Sequence, residues 1–366
     1  MNTVTPRIFI AATEQNTGKT TTALGLHRAL VEQFPRIGFI KPVGQRFVEV
    51  DGRRVDEDSV LVRETYQTQI PLEAMSPIAV EPDFTRRYID FANHEALVRR
   101  IQHAFDRAAW EKDFAIIEGT GHAGVGSVFD LSNARVARLL EAKVLLVVPG
   151  GIGRPIDESA VNLALFEKEG VEVIGVVMNK LQPSKMERIS DIARRGFERL
   201  GIELLGALPL DEILPQPTLR QVCNHIHAEF LHLESRGRDR VADVLIGAMS
   251  PANLFQGVQP GTLLVVPGDR DDVVLAATTG DFGGKGCPFC GMVLSDNLRP
   301  NELVMDLVRK SALPVMASRL DSYTISSRIH SMTVKTLPGD MEKIFRIEEL
   351  IARHVNIPRL LERLLG

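Results

Sequence analysis

The sequence predicts an α/β protein, with a mainly parallel sheet covered by helices on both faces and a smaller α/β unit after it. Three observations predict this. Short aliphatic or β-branched runs alternate with longer amphipathic stretches over the first two hundred residues, the pattern of strands joined by crossover helices. Several of those runs are apolar throughout, as strands buried on both faces are. The first run, Ile8-Phe9-Ile10-Ala11-Ala12, leads directly into Thr13-Glu14-Gln15-Asn16-Thr17-Gly18-Lys19-Thr20, a stretch that turns a strand into a helix around a phosphate.

In chain order the expected strands are Arg7 to Ala12, Ile37 to Ile40, Phe114 to Glu118, Val144 to Val148 and Val173 to Asn179, with a sixth at Leu204 to Ala207. The loop after the first strand reads as a P-loop NTPase signature. Backbone N–H groups of Thr13, Glu14, Asn16, Thr17, Gly18 and Thr21 would line a polyphosphate, Lys19 would reach the β/γ-phosphates, and the Thr20 hydroxyl would hold Mg²⁺. Thr13 stands where the motif's first glycine is usual, so the match lies in the Gly-Lys-Thr end.

Ligands of such sheets sit at the carboxyl ends of strands. The second expected strand is followed by Lys41-Pro42-Val43-Gly44-Gln45, the third by Gly119-Thr120-Gly121, and the fifth ends on Asn179-Lys180. A second lysine, Lys41, would neutralise charge that grows as a phosphoryl group moves, and Glu118 is the leading carboxylate for Mg²⁺. The run Val55-Asp56-Glu57-Asp58-Ser59 offers further carboxylates; by itself it reads as a solvated acidic turn. His122 reads as a hydrogen-bonded loop residue, with a general base as the alternative.

Composition limits the function classes. The chain has 366 residues, 44% of them hydrophobic, and a formal charge of −4, which suits a globular protein of two or three domains and not a nucleic-acid binder. No apolar run has the length of a membrane span, the N-terminus has no secretory pattern, and three cysteines make no disulfide framework, so a reducing, cytoplasmic setting is expected.

The series from the phosphate loop through Lys-Pro-Val, an Asp-containing loop, Glu-Gly-x-Gly and Asn resembles dethiobiotin synthetase and the ATP-dependent carboxylate amidases of cobalamin synthesis, over about residues 6 to 212. The resemblance implies ATP and Mg²⁺ as ligands, with Lys19 and Lys41 on phosphates. It further implies Thr20, Asp58 and Glu118 around the metal, Asn179 at the adenine edge, and a homodimer. Asp58 is preferred to Asp56 because Ser59-Val60-Leu61 follows it as a small residue and a helix start follow the family's Asp. Septum-positioning and plasmid-partition ATPases carry a lysine where this chain has Glu14, and guanine-specific GTPases need a carboxylate where it has Gln182. Gln45 and His122 depart from dethiobiotin synthetase, so the organic substrate is not expected to be a biotin precursor.

A proline-punctuated stretch, Leu214-Pro215-Gln216-Pro217, opens a second α/β unit. Its expected elements are a helix at Leu219 to His225 and strands near Ala228 to Leu233, Val244 to Gly247, Thr262 to Val266, Gly291 to Ser295 and Pro314 to Ala317. Gly247-Ala248-Met249, Pro267-Gly268-Asp269-Arg270-Asp271-Asp272, Leu298-Arg299-Pro300 and Asp321-Ser322-Tyr323-Thr324 resemble the DRTGG domain. In bacteria that domain follows a dethiobiotin-synthetase-like domain in the N-terminal half of some phosphate acetyltransferases. The expected division is 1–212, 213–337 and a helical segment 338–366, whose role is core packing or dimerisation.

Asp269, Arg270 and Asp272 read as a charged helix cap or, alternatively, a ligand loop. Cys287-Pro288-Phe289-Cys290 is half of a zinc site that Cys223, His225, His227 or a symmetry mate would have to complete; otherwise it is an exposed loop. Two functions remain open. One is an ATP-binding regulatory or accessory protein with hydrolysis capacity and a metabolic enzyme as partner, the other an ATP-dependent ligase acting on a small carboxylate. Acetyl transfer is not expected of this chain.

Overall fold

The structure, a computed structural model, describes residues 1–280 and 287–366. It divides into two compact units, Met1–Asp211 with Thr336–Gly366, and Glu212–Lys335.

The first unit is built on strands β1 (Arg7–Ala12), β2 (Ile37–Ile40), β3 (Val43–Gly44), β4 (Phe47–Val50), β5 (Arg53–Asp56), β6 (Ile78–Ala79), β7 (Phe114–Glu118), β8 (Lys143–Pro149), β9 (Val173–Leu181) and β10 (Leu204–Pro209). Six of them form one sheet in the order β10-β9-β8-β1-β7-β2, parallel throughout. All six residues of β1 and all five of β7 are buried, which is why, apart from Arg7 at the start of one and Glu118 at the end of the other, these segments read as apolar runs. The register sets Ile10 against Glu118 on one side, Ala12 against Val147 on the other, and Pro149 against Asn179 further out. The carboxyl ends of β1, β7, β8 and β9 therefore open on a common edge.

The short strands were not expected. β4 and β5 form a hairpin whose turn residues, Asp51 and Gly52, have φ of 50° and 71°. That Asp-Gly pair is the sequence signal for such a turn. Consequently the run 55–59 is no solvated acidic turn. β5 ends on Asp56, which caps the helix Glu57–Tyr66 by accepting from the Asp58 N–H at 2.9 Å, and both aspartates are almost fully buried.

The C-terminal residues return to the first unit and do not stand as a separate piece. The helix Met341–His354 packs against the helix Lys19–Leu30 so closely that a Cβ on Gly25 would lie 2.1 Å from Ile351 Cγ1. Gly25→Val is expected to destabilise the unit by about 1–3 kcal/mol through overpacking, read as a lowered Tm. Beside it, His27 stacks on Tyr66 at 3.7 Å, and the Tyr66 hydroxyl donates to Leu24 O at 2.8 Å and to Glu348 at 3.2 Å. Burial pushes the His27 imidazole down to about 4, so the folded chain holds it neutral. The unfolded chain takes up that proton near 6.5, so acidification from pH 6.5 towards 4 should cost about 3 kcal/mol. Denaturant titrations of wild type and His27→Phe across that window should show the wild-type loss and a shallower one in the variant.

The second unit holds β11 (Glu229–His232), β12 (Asp243–Ile246), β13 (Thr262–Pro267), β14 (Phe289–Ser295) and β15 (Val315–Ala317), in the order β11-β15-β14-β13-β12. Only the edge strand β11 runs antiparallel. One face packs Val273, Val274, Val304 and Val308 from two helices, and the other packs Leu219, Val222, Ile325 and Ile329 from two more. The helix Leu219–His225 has the expected bounds and starts in a Thr218–Gln221 capping box.

Candidate functional site

Residues 13–18 carry the chain from β1 into the helix Lys19–Leu30. The turn uses left-handed backbone at Asn16, φ 59°, and at Gly18, φ 116°; a Cβ on Gly18 would stand 2.1 Å from Asn179 Nδ2. Glycine is required there on both counts. Thr17 Oγ1 donates to Glu14 O at 3.0 Å, Asn179 Nδ2 donates to Thr17 O at 2.7 Å, and Lys180 Nζ donates to Asn16 O at 2.7 Å. The loop is thus braced from the end of β9. Asn179, expected at the adenine edge, spends its amide on the loop and on the Lys180 N–H, which it accepts at 2.8 Å.

Lys19 is buried and donates to the carbonyls of Gly121, 3.2 Å, and Glu14, 3.4 Å. Thr20 Oγ1 donates to Glu118 Oε1 at 2.9 Å. Glu118 is almost fully buried, and its other oxygen, Oε2, has no hydrogen-bond partner. Thr21 is partly exposed and Thr13 buried, with the Thr13 N–H donating to Val147 O at 3.1 Å.

Lys41 was read as a phosphate lysine; here its ammonium lies among carboxylates. It contacts Asp58, Asp56 Oδ1 at 3.2 Å and Glu118 Oε1 at 3.4 Å. Burial works against its charge, but Glu118, Asp58 and Asp56 outweigh burial and hold its pKa well above the usual lysine value. The Glu118 carboxyl moves up, chiefly through burial; Lys41 opposes the shift and the two aspartates add to it. Asp56, Asp58 and Glu118 thus gather their carboxylates around the Lys41 ammonium.

Carboxylate oxygens, the buried Glu118 Oε2 among them, and the Thr20 hydroxyl are the hard donors that a divalent cation takes. Among the described residues no three His, Cys, Asp or Glu side chains stand ready as a metal cage. Asp56, Asp58 and Glu118 converge on Lys41 instead. Mg²⁺, which keeps waters and takes phosphate oxygens, is a cation that donors of this kind can hold.

Several neighbours went unread in the sequence. Asp56, set aside in the sequence in favour of Asp58, belongs to the charged cluster as well. Asn133 fixes the loop after Glu118, accepting from the Thr120 N–H at 3.0 Å and donating to the carbonyls of Thr120 and His122, both at 2.6 Å. Arg154 pairs with Glu14 at 2.6 Å and with Glu158 at 2.6 Å. His122 is exposed, and its Nδ1 accepts from the Gly124 N–H at 3.1 Å, as the loop-residue reading expects. Gln45 accepts from Gln15 Nε2 at 3.3 Å.

In the second unit, Arg270 grips Asp272 with both Nε, 2.8 Å, and Nη2, 3.0 Å, and reaches the carbonyls of Gly247 and Met249 at 3.4 and 3.1 Å. Asp269 is exposed. The guanidinium therefore ties the end of β12 to the start of the helix Asp271–Thr279. Cys290 is buried on β14 in the cluster that also holds Cys223, while Cys287 is exposed. Among the described residues these sulfurs meet no third metal ligand. Positions 281–286 of that glycine-rich stretch lie outside the described residues.

The model of an AAA domain family, AAA_26, matches residues 6–218, well over half of the chain. The chain belongs to that family. Behind the AAA domain, residues 221–332 match the DRTGG domain, so the two domains are fused in the order the sequence implied. Similar curated proteins are the phosphate acetyltransferases of Pseudomonas aeruginosa, 28% identical over 97% of this chain, and of Nitrosomonas europaea, 25% identical over 97%. In both, the chain spans about half the relative's length, 51%. Among solved structures, the septum site-determining protein MinD complexed with Mg-ADP from Pyrococcus horikoshii covers 58% of this chain and 84% of its own at 17% identity, TM-score 0.36. The CBS and DRTGG domains of a Clostridium perfringens pyrophosphatase, complexed with the activator diadenosine tetraphosphate, cover 58% and 88% at 14% identity, TM-score 0.28. The P-loop α/β fold of the AAA domain rests on the strand order and registers above. Among the described residues no helix is long and apolar enough to cross a membrane.

Proposed function

We propose that the AAA domain binds ATP with Mg²⁺ and serves a regulatory or accessory role toward a metabolic enzyme, with capacity for hydrolysis. The observation that carries this reading is the cluster at the ends of β1 and β7, where Lys19, Thr20 and the buried, half-unpartnered carboxylate of Glu118 meet beneath a phosphate loop. Lys19 exchanges neutral carbonyl partners for charged phosphate oxygens, a stronger bond. Thr20, Glu118 and Asp58 hold Mg²⁺, which would neutralise charge on the phosphates. Lys41 fixes Asp58 and Glu118 in place and presents a second positive charge to the same edge. Asn179 keeps the loop open through Thr17, and a homodimer is the assembly we propose for the AAA domain.

The similarity to phosphate acetyltransferases suggests acyl-phosphate metabolism as the setting, with the DRTGG domain relaying the nucleotide state to the partner enzyme. The test is ATP turnover by the purified chain with Mg²⁺, scanned with small carboxylates and diamines, and Glu118→Gln as control. Saturable ATP binding with slow turnover that no carboxylate stimulates is the expected result. Turnover stimulated by a carboxylate and lost in Glu118→Gln would replace this reading with a ligase.

A further inference from the structure

A cavity in the first unit lies apart from the phosphate-loop residues. It measures about 410 Å³, within the range of small-molecule sites, between the helices His94–Ala108 and Asn133–Leu139. Val98, Leu131 and Leu139 give it an apolar floor, and Arg99, Arg135 and Arg138 stand around it. Cationic side chains around a hydrocarbon floor are complementary to a molecule with an acidic end and an apolar body.

The three guanidinium groups are not equally compensated. Arg99 pairs with Glu95 at 3.2 Å and Arg135 with Glu169 at 3.2 Å. Arg138 donates instead to the backbone carbonyl of Glu169 at 2.6 Å, a neutral acceptor that holds the side chain still without cancelling its charge. Three positive groups thus face two carboxylates. His94, also at the cavity, has its Nδ1 buried with no hydrogen-bond partner, so that nitrogen does not face the lining and the arginines supply the polar contacts.

We propose that this cavity is a binding site for a small organic anion, whose apolar body covers Val98, Leu131 and Leu139 and whose acidic group reaches Arg138 and Arg135. The site has a bearing on the rest of the domain through its helix. Arg135, Arg138 and Leu139 share the helix whose first residue, Asn133, fixes Thr120 and His122 behind Glu118.

The probe is 8-anilinonaphthalene-1-sulfonate, an aromatic body with one sulfonate, titrated by fluorescence into the full chain. The expected result is saturable one-site binding that octanoate reverses, whereas 1-octanol and acetate at equal concentration do not, because each lacks one half of the recognised chemistry. Arg138→Gln should weaken binding roughly tenfold, the usual scale for losing a charge-assisted hydrogen bond. Should Arg138→Gln also lower Tm, two variants that leave that anchor in place decide the matter: Arg135→Gln should weaken binding and Val98→Trp, which fills the cavity, should abolish it. Binding unchanged in Val98→Trp, reversal by 1-octanol as readily as by octanoate, or loss of the signal in Lys19→Ala would overturn the proposal. The last would put the dye at the phosphate loop. None of these outcomes depends on whether ATP is the nucleotide.

Discussion

Lys41→Met is expected to cost the first unit about 3–5 kcal/mol, the usual penalty for removing one partner of a buried charge cluster. The ammonium lies within 3.4 Å of Asp56 and Glu118 and also contacts Asp58, all of them buried, and removing it takes a shared positive partner from three buried acids at once. Urea titration should show a lower midpoint with little change in slope. The double variant Lys41→Met with Glu118→Gln should lose less than Lys41→Met alone, because one of the stranded charges has gone. Such coupling is expected of contacting groups, and additive losses would show that the cluster does not act as a unit. Millimolar Mg²⁺ should restore part of the stability of the single variant if the carboxylates can accept the cation without the lysine.

The second large effect concerns ligand binding and not stability. Lys19→Ala should weaken ATP binding by about 10- to 100-fold, the scale of losing a hydrogen bond to a charged group. Its ammonium now bonds two backbone carbonyls, Gly121 and Glu14, so the side chain is already held over the loop and little further ordering is needed when phosphate replaces them. Gly18→Ala should be as damaging for another reason. At φ 116°, with Asn179 in the way, the loop cannot keep its form, and the Asn179–Thr17 bond is lost together with the backbone amides the loop presents.

How much of this was legible in the sequence depended on how local the cause is. The six sheet strands were readable because burial on both faces makes their central residues apolar, and Gly18-Lys19-Thr20 because backbone geometry and charge demand those residues in that order. The hairpin β4–β5 was missed although Asp51-Gly52 is a strong local turn signal, and with it went the burial of Asp56. What no local signal could give is pairing over distance. Arg154 meets Glu14 across 140 positions, Asn133 reaches back to Thr120 and His122, and Lys41 settles among carboxylates from three other elements. The return of 336–366 to the first unit is of the same kind. Its amphipathic helices announced that they pack, and only the close approach at Gly25 shows on what. In the second unit, Arg270 reads first as part of a helix cap with a ligand group as the alternative, and its bidentate grip on Asp272 becomes visible only with the strands in place.

The measurement that tests the central claim most directly is calorimetric titration of ATP into the full chain, with and without Mg²⁺, for wild type and Lys19→Ala. One ATP per chain, tighter with Mg²⁺ than with EDTA and at least tenfold weaker in Lys19→Ala, is the result predicted from the meeting of Lys19, Thr20 and Glu118. No saturable heat with ATP, or equal affinity in wild type and Lys19→Ala at unchanged stability, would contradict it.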